Sequence, residues 1–136
     1  MLAYNIHHVA IAVENLDTAI AKFELNMKVV PISREVVEDQ GVSEAMIAVG
    51  GSFIQLLEPL TPDSSVGRFL SKNGEGLHHI AFAVHDIEQA LAHLKSTGAR
   101  LIDDEPRIGG GGHKIAFLHP KELSGTLVEL VEVDHG

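Results

Sequence analysis

Ile6-His7-His8-Val9-Ala10-Ile11-Ala12-Val13 returns as Leu77-His78-His79-Ile80-Ala81-Phe82-Ala83-Val84, 71 residues further along the chain. The match runs on through residues 14–23 against 85–94, with seven identities in the eighteen positions aligned from Ile6. A repeat of this length marks a domain made of two copies of one unit. Two like units can bring two like histidines together, and facing histidines point to a metal.

Each copy alternates like a strand. Val9, Ile11 and Val13 share one face, with His8, Ala10 and Ala12 on the other. Ile80, Phe82 and Val84 oppose His79, Ala81 and Ala83 in the same way. The bulky face suits a covering helix, and the small-residue face leaves room beside the histidine. A helix is expected after each strand. Leu16, Ala19, Ile20, Phe23 and Met27 fall at helical spacing behind a cap at Asn15. Ile87, Ala90, Leu91 and Leu94 do so behind Asp86, with Gln89 placed as in a capping box and Gly98 as the stop. Three further strands fit each half: 30–39, 43–49 and 52–58, with turns at Gln40-Gly41 and Gly50-Gly51, then pieces near 100–103 and 106–108, 113–119 and 126–133. The expected fold is α+β, two tandem βαβββ modules forming a curved mixed sheet around a metal-binding cup. Residues 1–136 make one domain, with module one at about 4–59, a linker at 60–75 carrying a short helix at 65–72, and module two at about 76–134.

The repeat can be followed to the last strand of each unit. Phe53-Ile54-Gln55-Leu56-Leu57-Glu58 answers to Leu127-Val128-Glu129-Leu130-Val131-Glu132. Each unit thus offers a histidine on its first strand and an amide or carboxylate on its last. If the units pair about a pseudo-twofold axis, His8, Gln55, His79 and Glu129 can converge. A carboxylate inside the apolar run 127–131 is costly unless partnered. Two imidazoles, one carboxylate and one amide oxygen suit one divalent first-row ion, with two positions left for water or a chelating substrate. Cobalt, manganese, nickel, zinc and iron(II) all fit. His7 and His78 fall on the opposite face of their strands. His85, His93, His119 and His135 read as solvent-facing, and His113 is open to either reading.

The bulk composition narrows the partners. The formal net charge of −9 repels phosphate backbones, so nucleic acid is not expected as a partner. There is no cysteine, hence no disulfide and no thiolate ligand or nucleophile. No secretory signal is visible behind Met1, and no apolar run approaches the ~20 residues of a membrane span. A cytoplasmic protein without membrane attachment is expected. Within this acidic chain Arg107, Lys114 and Lys121 flank Gly109-Gly110-Gly111-Gly112. That stretch is either a flexible hairpin connection or a loop whose bare amides approach an anionic ligand.

At these residues the chain resembles the vicinal oxygen chelate superfamily, built from paired βαβββ modules around a metal. Within it the likeness is to the methylmalonyl-CoA epimerase family. The carrying segments are the two histidine phrases, Gln40-Gly41-Val42-Ser43-Glu44-Ala45, Lys114-Ile115-Ala116-Phe117-Leu118-His119-Pro120-Lys121 and Gly125-Thr126-Leu127-Val128-Glu129-Leu130. The resemblance implies His8, Gln55, His79 and Glu129 as ligands of one divalent metal per chain. It implies Glu44 as catalytic base. Glu129 is the candidate for the second acid/base group. The implied reaction interconverts (2R)- and (2S)-methylmalonyl-CoA by α-proton abstraction, with Arg107, Gly110, Gly111, Lys114 and Lys121 as candidate coenzyme A contacts. A homodimer is implied as well. Glyoxalase I enzymes usually carry Glu where this chain has Gln55, which favours the epimerase. The rival expectations are a glyoxalase I-like lyase acting on a glutathione hemithioacetal and a non-catalytic binding module of the same fold.

Overall fold

The computed structural model describes residues 1–133; His135 and the expected module end at 134 lie outside them. The described residues divide into two compact units, residues 8–78, and residues 1–7 together with those from 79 on.

In the first unit, β1 (Asn5–Ala12) leads to α1 (Leu16–Met27), then β2 (Ser33–Val37), β3 (Val42–Val49), β4 (Ser52–Pro59) and α2 (Ser65–Asn73). The strands lie in the order β2-β3-β4-β1, antiparallel except for the parallel pair β1–β4. The bulky face of β1 is covered by α1. Ile11 and Val13 pack with Leu16, Ala19, Ile20 and Phe23 of the helix and with Ala45, Ile47 and Leu56 of the sheet. Leu16, Ile47 and Leu56 are fully buried, each contributing about 1.5–3 kcal/mol over an exposed side chain. On the histidine face, α2 lays Val66, Phe69 and Leu70 against Ala10, Ala12, Val42 and Leu57.

The second unit repeats the plan with β5 (Gly76–Val84), α3 (Ile87–Ser96), β6 (Arg107–Ile108), β7 (Lys114–Leu118) and β8 (Val128–Glu132). Its order is β5-β8-β7-β6, again with first and last strands parallel. Phe82, Val84, Ile87, Ala90, Leu91, Leu94 and Leu130 form the core beneath α3. Ala81, Ile115, Phe117 and Val131 cluster on the histidine face. The expected βαβββ order therefore holds in both halves.

The caps fall where the sequence places them. Asn15 Oδ1 accepts the Thr18 N–H at 2.9 Å and Asp86 Oδ1 accepts that of Gln89 at 3.1 Å. A second device joins them: Glu58 Oε1 accepts the Leu16 N–H at 2.6 Å, and Glu132 Oε2 accepts the Ile87 N–H at 3.1 Å. These carboxylates lie at the C-terminal ends of corresponding strands, Glu58 next to last in β4 and Glu132 last in β8, and satisfy corresponding helix N-termini, where negative charge is favoured.

Some boundaries differ from expectation. The strand expected at 30–39 is confined to Ser33–Val37, because Glu38–Gln40 form a 3-10 turn that leads into Gly41 at φ +69°. The piece near 100–103 is reduced to one bridge, Leu101 to Leu118. There the Ile102 and Asp103 N–H groups both reach Phe117 O, at 2.9 and 3.2 Å, while the Phe117 N–H goes to the Asp103 side chain at 2.8 Å instead of to a backbone carbonyl. Met27, expected on the buried helix face, is 67% exposed because the helix ends there and Lys28 turns left-handed.

Candidate active site

Among the described residues, the buried polar or charged side chains are His8, Glu44, Gln55, His79 and Glu129, all 8% exposed or less. Burying such groups without partners is costly. These five are the four residues expected as ligands and the one expected as base.

Register explains how each unit presents them. In the second unit, Ala81 on β5 lies opposite Glu129 on β8. His79, two residues before Ala81, therefore shares its face with Glu129 and sits diagonally from it. The imidazole Nε2 is 3.1 Å from the carboxylate Oε1. In the first unit Ala10 lies opposite Gln55, so His8 stands in the same diagonal relation to Gln55. On the far side of β4, Met46 faces Gln55 and Glu44 faces Leu57. Glu44 thus reaches the histidine face, and Gln55 Nε2 donates to its Oε2 at 3.2 Å.

The same register shows what the repeat does not duplicate. Leu57 corresponds to Val131, and the residue opposite Val131 is Ile115. The place of Glu44 is therefore taken in the second unit by an isoleucine, 2% exposed in an apolar cluster. Phe117, opposite Glu129, sets its ring edge-on to His79 with centroids 5.3 Å apart. One half of the donor set sits beside a further carboxylate, Glu44, and the other in apolar surroundings.

The donor groups fit a divalent metal. His8 and Gln55 of the first unit, and His79 and Glu129 of the second, are buried groups of the kinds that hold such an ion. Gln55 Oε1 is a buried acceptor without a hydrogen-bond partner, while its amide nitrogen is committed to Glu44. An orphaned oxygen fixed in this way is suited to a cation. His79 Nε2 and Glu129 Oε1, 3.1 Å apart, are two donor atoms close enough to share one ion.

The expected anion contacts separate. Arg107 lies opposite Ile115, on the histidine face, with its guanidinium 5.8 Å from the Phe117 ring centroid and its Nε 3.5 Å from Asp103 Oδ1. Lys114 lies opposite Ile108 and leaves the sheet towards α3, 3.8 Å from Glu88. Lys121 is exposed in the 3-10 turn Pro120–Leu123, where His119 Nδ1 accepts its N–H at 3.1 Å. Gly110 and Gly111 form another such turn, Gly111 at φ +70°. A side chain on Gly111 would meet the His113 ring at 3.2 Å, so the loop rests on that ring. His113 Nδ1 is in turn 3.1 Å from Glu132 O. His7 and His78 serve packing, their rings edge-on to His113 and Phe69. His85 is exposed and stacks on Tyr4. Composition gave no sign of Asp103 and Phe117 as supports; Phe117 is placed by the β7–β8 register and Asp103 by its bond from the Phe117 N–H.

Residues 7–117 match the family model of the glyoxalase/bleomycin resistance protein/dioxygenase superfamily, and the chain belongs to this family. Its relatives narrow the likeness. An ethylmalonyl-CoA/methylmalonyl-CoA epimerase of Cereibacter sphaeroides is 40% identical over 130 residues, 94% of this chain and 97% of that protein. The uncharacterised protein YqjC of Bacillus subtilis is 42% identical over 127 residues, 93% of this chain and 91% of that protein. A variant of Streptomyces coelicolor methylmalonyl-CoA epimerase, solved with 2-nitronate-propionyl-CoA, superimposes with a TM-score of 0.94 at 42% identity. That alignment covers 98% of this chain and 96% of the other. Among the described residues no helix is long and apolar enough to cross a membrane.

Proposed function

We propose that this chain is a metal-dependent epimerase interconverting (2R)- and (2S)-methylmalonyl-CoA. The observation that carries the reading is the buried polar set: His8, Gln55, His79, Glu129 and Glu44, in a chain whose other buried described side chains are apolar. The likeness to epimerases of malonyl-type thioesters supports the substrate.

The substrate's α-hydrogen lies between a thioester and a carboxylate, and the difficulty is the negative charge that builds on oxygen when it leaves. His8, Gln55, His79 and Glu129 would hold a divalent ion, which would supply Lewis-acid stabilisation of that charge. The remaining work belongs to side chains. Glu44 takes the proton on one side of the α-carbon; its Oε2 is oriented by the Gln55 amide. A proton returns to the opposite side from a second carboxylate, the role assigned to Glu129, and the substrate leaves with its configuration inverted. No electrons are exchanged, so no redox cofactor is required.

Coenzyme A contacts are assigned to the region of Arg107, Gly110, Gly111, Lys114 and Lys121. The reading includes a cytoplasmic homodimer. Exposed Val30, Ile32 and Val36 beside and along β2 support it by offering apolar surface to a second copy. The test is conversion of (2R)-methylmalonyl-CoA to the mixture of 2R and 2S epimers, followed by the change in its circular dichroism, with cobalt, manganese, nickel or zinc supplied. The methylglyoxal–glutathione hemithioacetal is assayed in parallel. Epimerisation without lactoylglutathione formation is expected; turnover of the hemithioacetal alone overturns the reading.

A further inference from the structure

We infer that Arg107 is a direct contact for an anionic oxygen group of the acyl-CoA substrate, and that Asp103 is the positioning residue that sets it. The inference rests on the function proposed above. It singles out one cation of the glycine-loop region and adds a residue that region did not include.

Three observations carry it. Arg107 emerges on the same sheet face as Phe117 and Glu129, because it lies opposite Ile115 in the β6–β7 register and Phe117 lies opposite Glu129. Lys114, next to it across the ladder, emerges on the other face and pairs with Glu88. Arg107 is also held from two sides. Its guanidinium lies over the Phe117 ring, and one Asp103 oxygen stands 3.5 Å from its Nε while the other accepts the Phe117 N–H at 2.8 Å. Asp103 thus fixes the cation and the ring beneath it together. Finally, the fork of this arginine is free. Arg34 and Arg100 direct terminal nitrogens at Asp17 and Glu122, 2.7 and 3.8 Å away. Arg107 meets Asp103 only through Nε, at a distance too long for a hydrogen bond, and that Nε is a buried donor without a partner. Among the described residues its two terminal nitrogens have no partner. A guanidinium held over a ring and beside a carboxylate, with its two terminal nitrogens open, matches a carboxylate or phosphate in two parallel hydrogen bonds.

The substrate carries two such groups, the acyl carboxylate and the phosphates of coenzyme A. Calorimetric binding of methylmalonyl-CoA and of methylmalonyl-pantetheine, which lacks every phosphate, distinguishes them. Wild type, Arg107→Gln, Arg107→Lys and Asp103→Asn are compared as metal-loaded proteins. Arg107→Gln is expected to weaken methylmalonyl-CoA by about ten- to a hundredfold, the range for hydrogen bonds to charged groups. Equal weakening of both ligands assigns the carboxylate; weakening of the CoA thioester alone assigns a phosphate. Arg107→Lys should recover only part of the affinity. Asp103→Asn should weaken the same ligand as Arg107→Gln, by less, and raise KM with kcat nearly unchanged. Arg107→Gln binding both ligands as wild type does overturns the inference and leaves the proposed function standing. Failure of wild type to bind methylmalonyl-CoA removes both.

Discussion

Replacing Gln55 with leucine separates a structural role from a metal-binding one. The side chain is 8% exposed, gives one hydrogen bond to Glu44, and leaves Oε1 buried without a partner. Losing a hydrogen bond to a carboxylate costs about 1.5–3 kcal/mol, and removing an unsatisfied buried acceptor returns about 1–3 kcal/mol. In the presence of chelator the two offset each other, and stability should change by about 1 kcal/mol or less. The metal-loaded protein should behave differently. Losing even a group that supports a ligand lowers metal affinity ~10–100-fold. At saturating metal a hundredfold loss removes about 2.7 kcal/mol of stabilisation. For a chain of this size that is a fall of roughly 10 °C in the metal-induced rise of Tm. Thermal unfolding followed by circular dichroism, with chelator and then with each metal, reads both quantities. If metal raises the midpoint of the variant as far as that of wild type, Gln55 is not a ligand. If the chelated variant has already lost more than about 3 kcal/mol, its role is packing.

His79→Ala should lower the metal bound per chain, measured by elemental analysis after dialysis; unchanged stoichiometry removes His79 from the ligand set. Glu58→Ala should cost about 1–2 kcal/mol, because its Oε1 satisfies the Leu16 N–H at 2.6 Å. Urea unfolding reads that loss, and a stability equal to wild type shows the bond to be idle. Ile115→Glu places a carboxylate where the repeat puts the counterpart of Glu44, among Ala81, Phe117 and Val131. Burying it without a partner should cost several kcal/mol, and an unchanged unfolding midpoint would contradict the view that only the first unit is built to carry a carboxylate at this place.

Strand-period alternation made the histidine face legible at once. His8 and His79 follow from one phrase read twice, and Gln55 and Glu129 from following the repeat to its end. Long-period features survive in sequence because each strand must keep its apolar side against its own helix. Glu58 and Glu132 belong to the same repeat, but their role as helix N-terminal acceptors depends on where β4 and β8 end relative to α1 and α3. Residues 100–108 were less legible. The strand expected there gives way to a side chain, Asp103, that substitutes for a ladder bond, and no periodicity announces such a substitution. The glycine-loop cations looked alike in composition; only register puts Arg107 on the histidine face and Lys114 on the α3 face.

The central claim is that Glu44 moves the α-proton of a methylmalonyl thioester with the help of a metal held beside it. Deuterium wash-in at the α-carbon of methylmalonyl-CoA in heavy water, read by mass spectrometry, tests this directly. The metal-loaded wild type should exchange rapidly, the chelated protein should not, and Glu44→Gln should keep its metal while losing exchange. Full exchange by Glu44→Gln, or by wild type under chelator, would contradict the account.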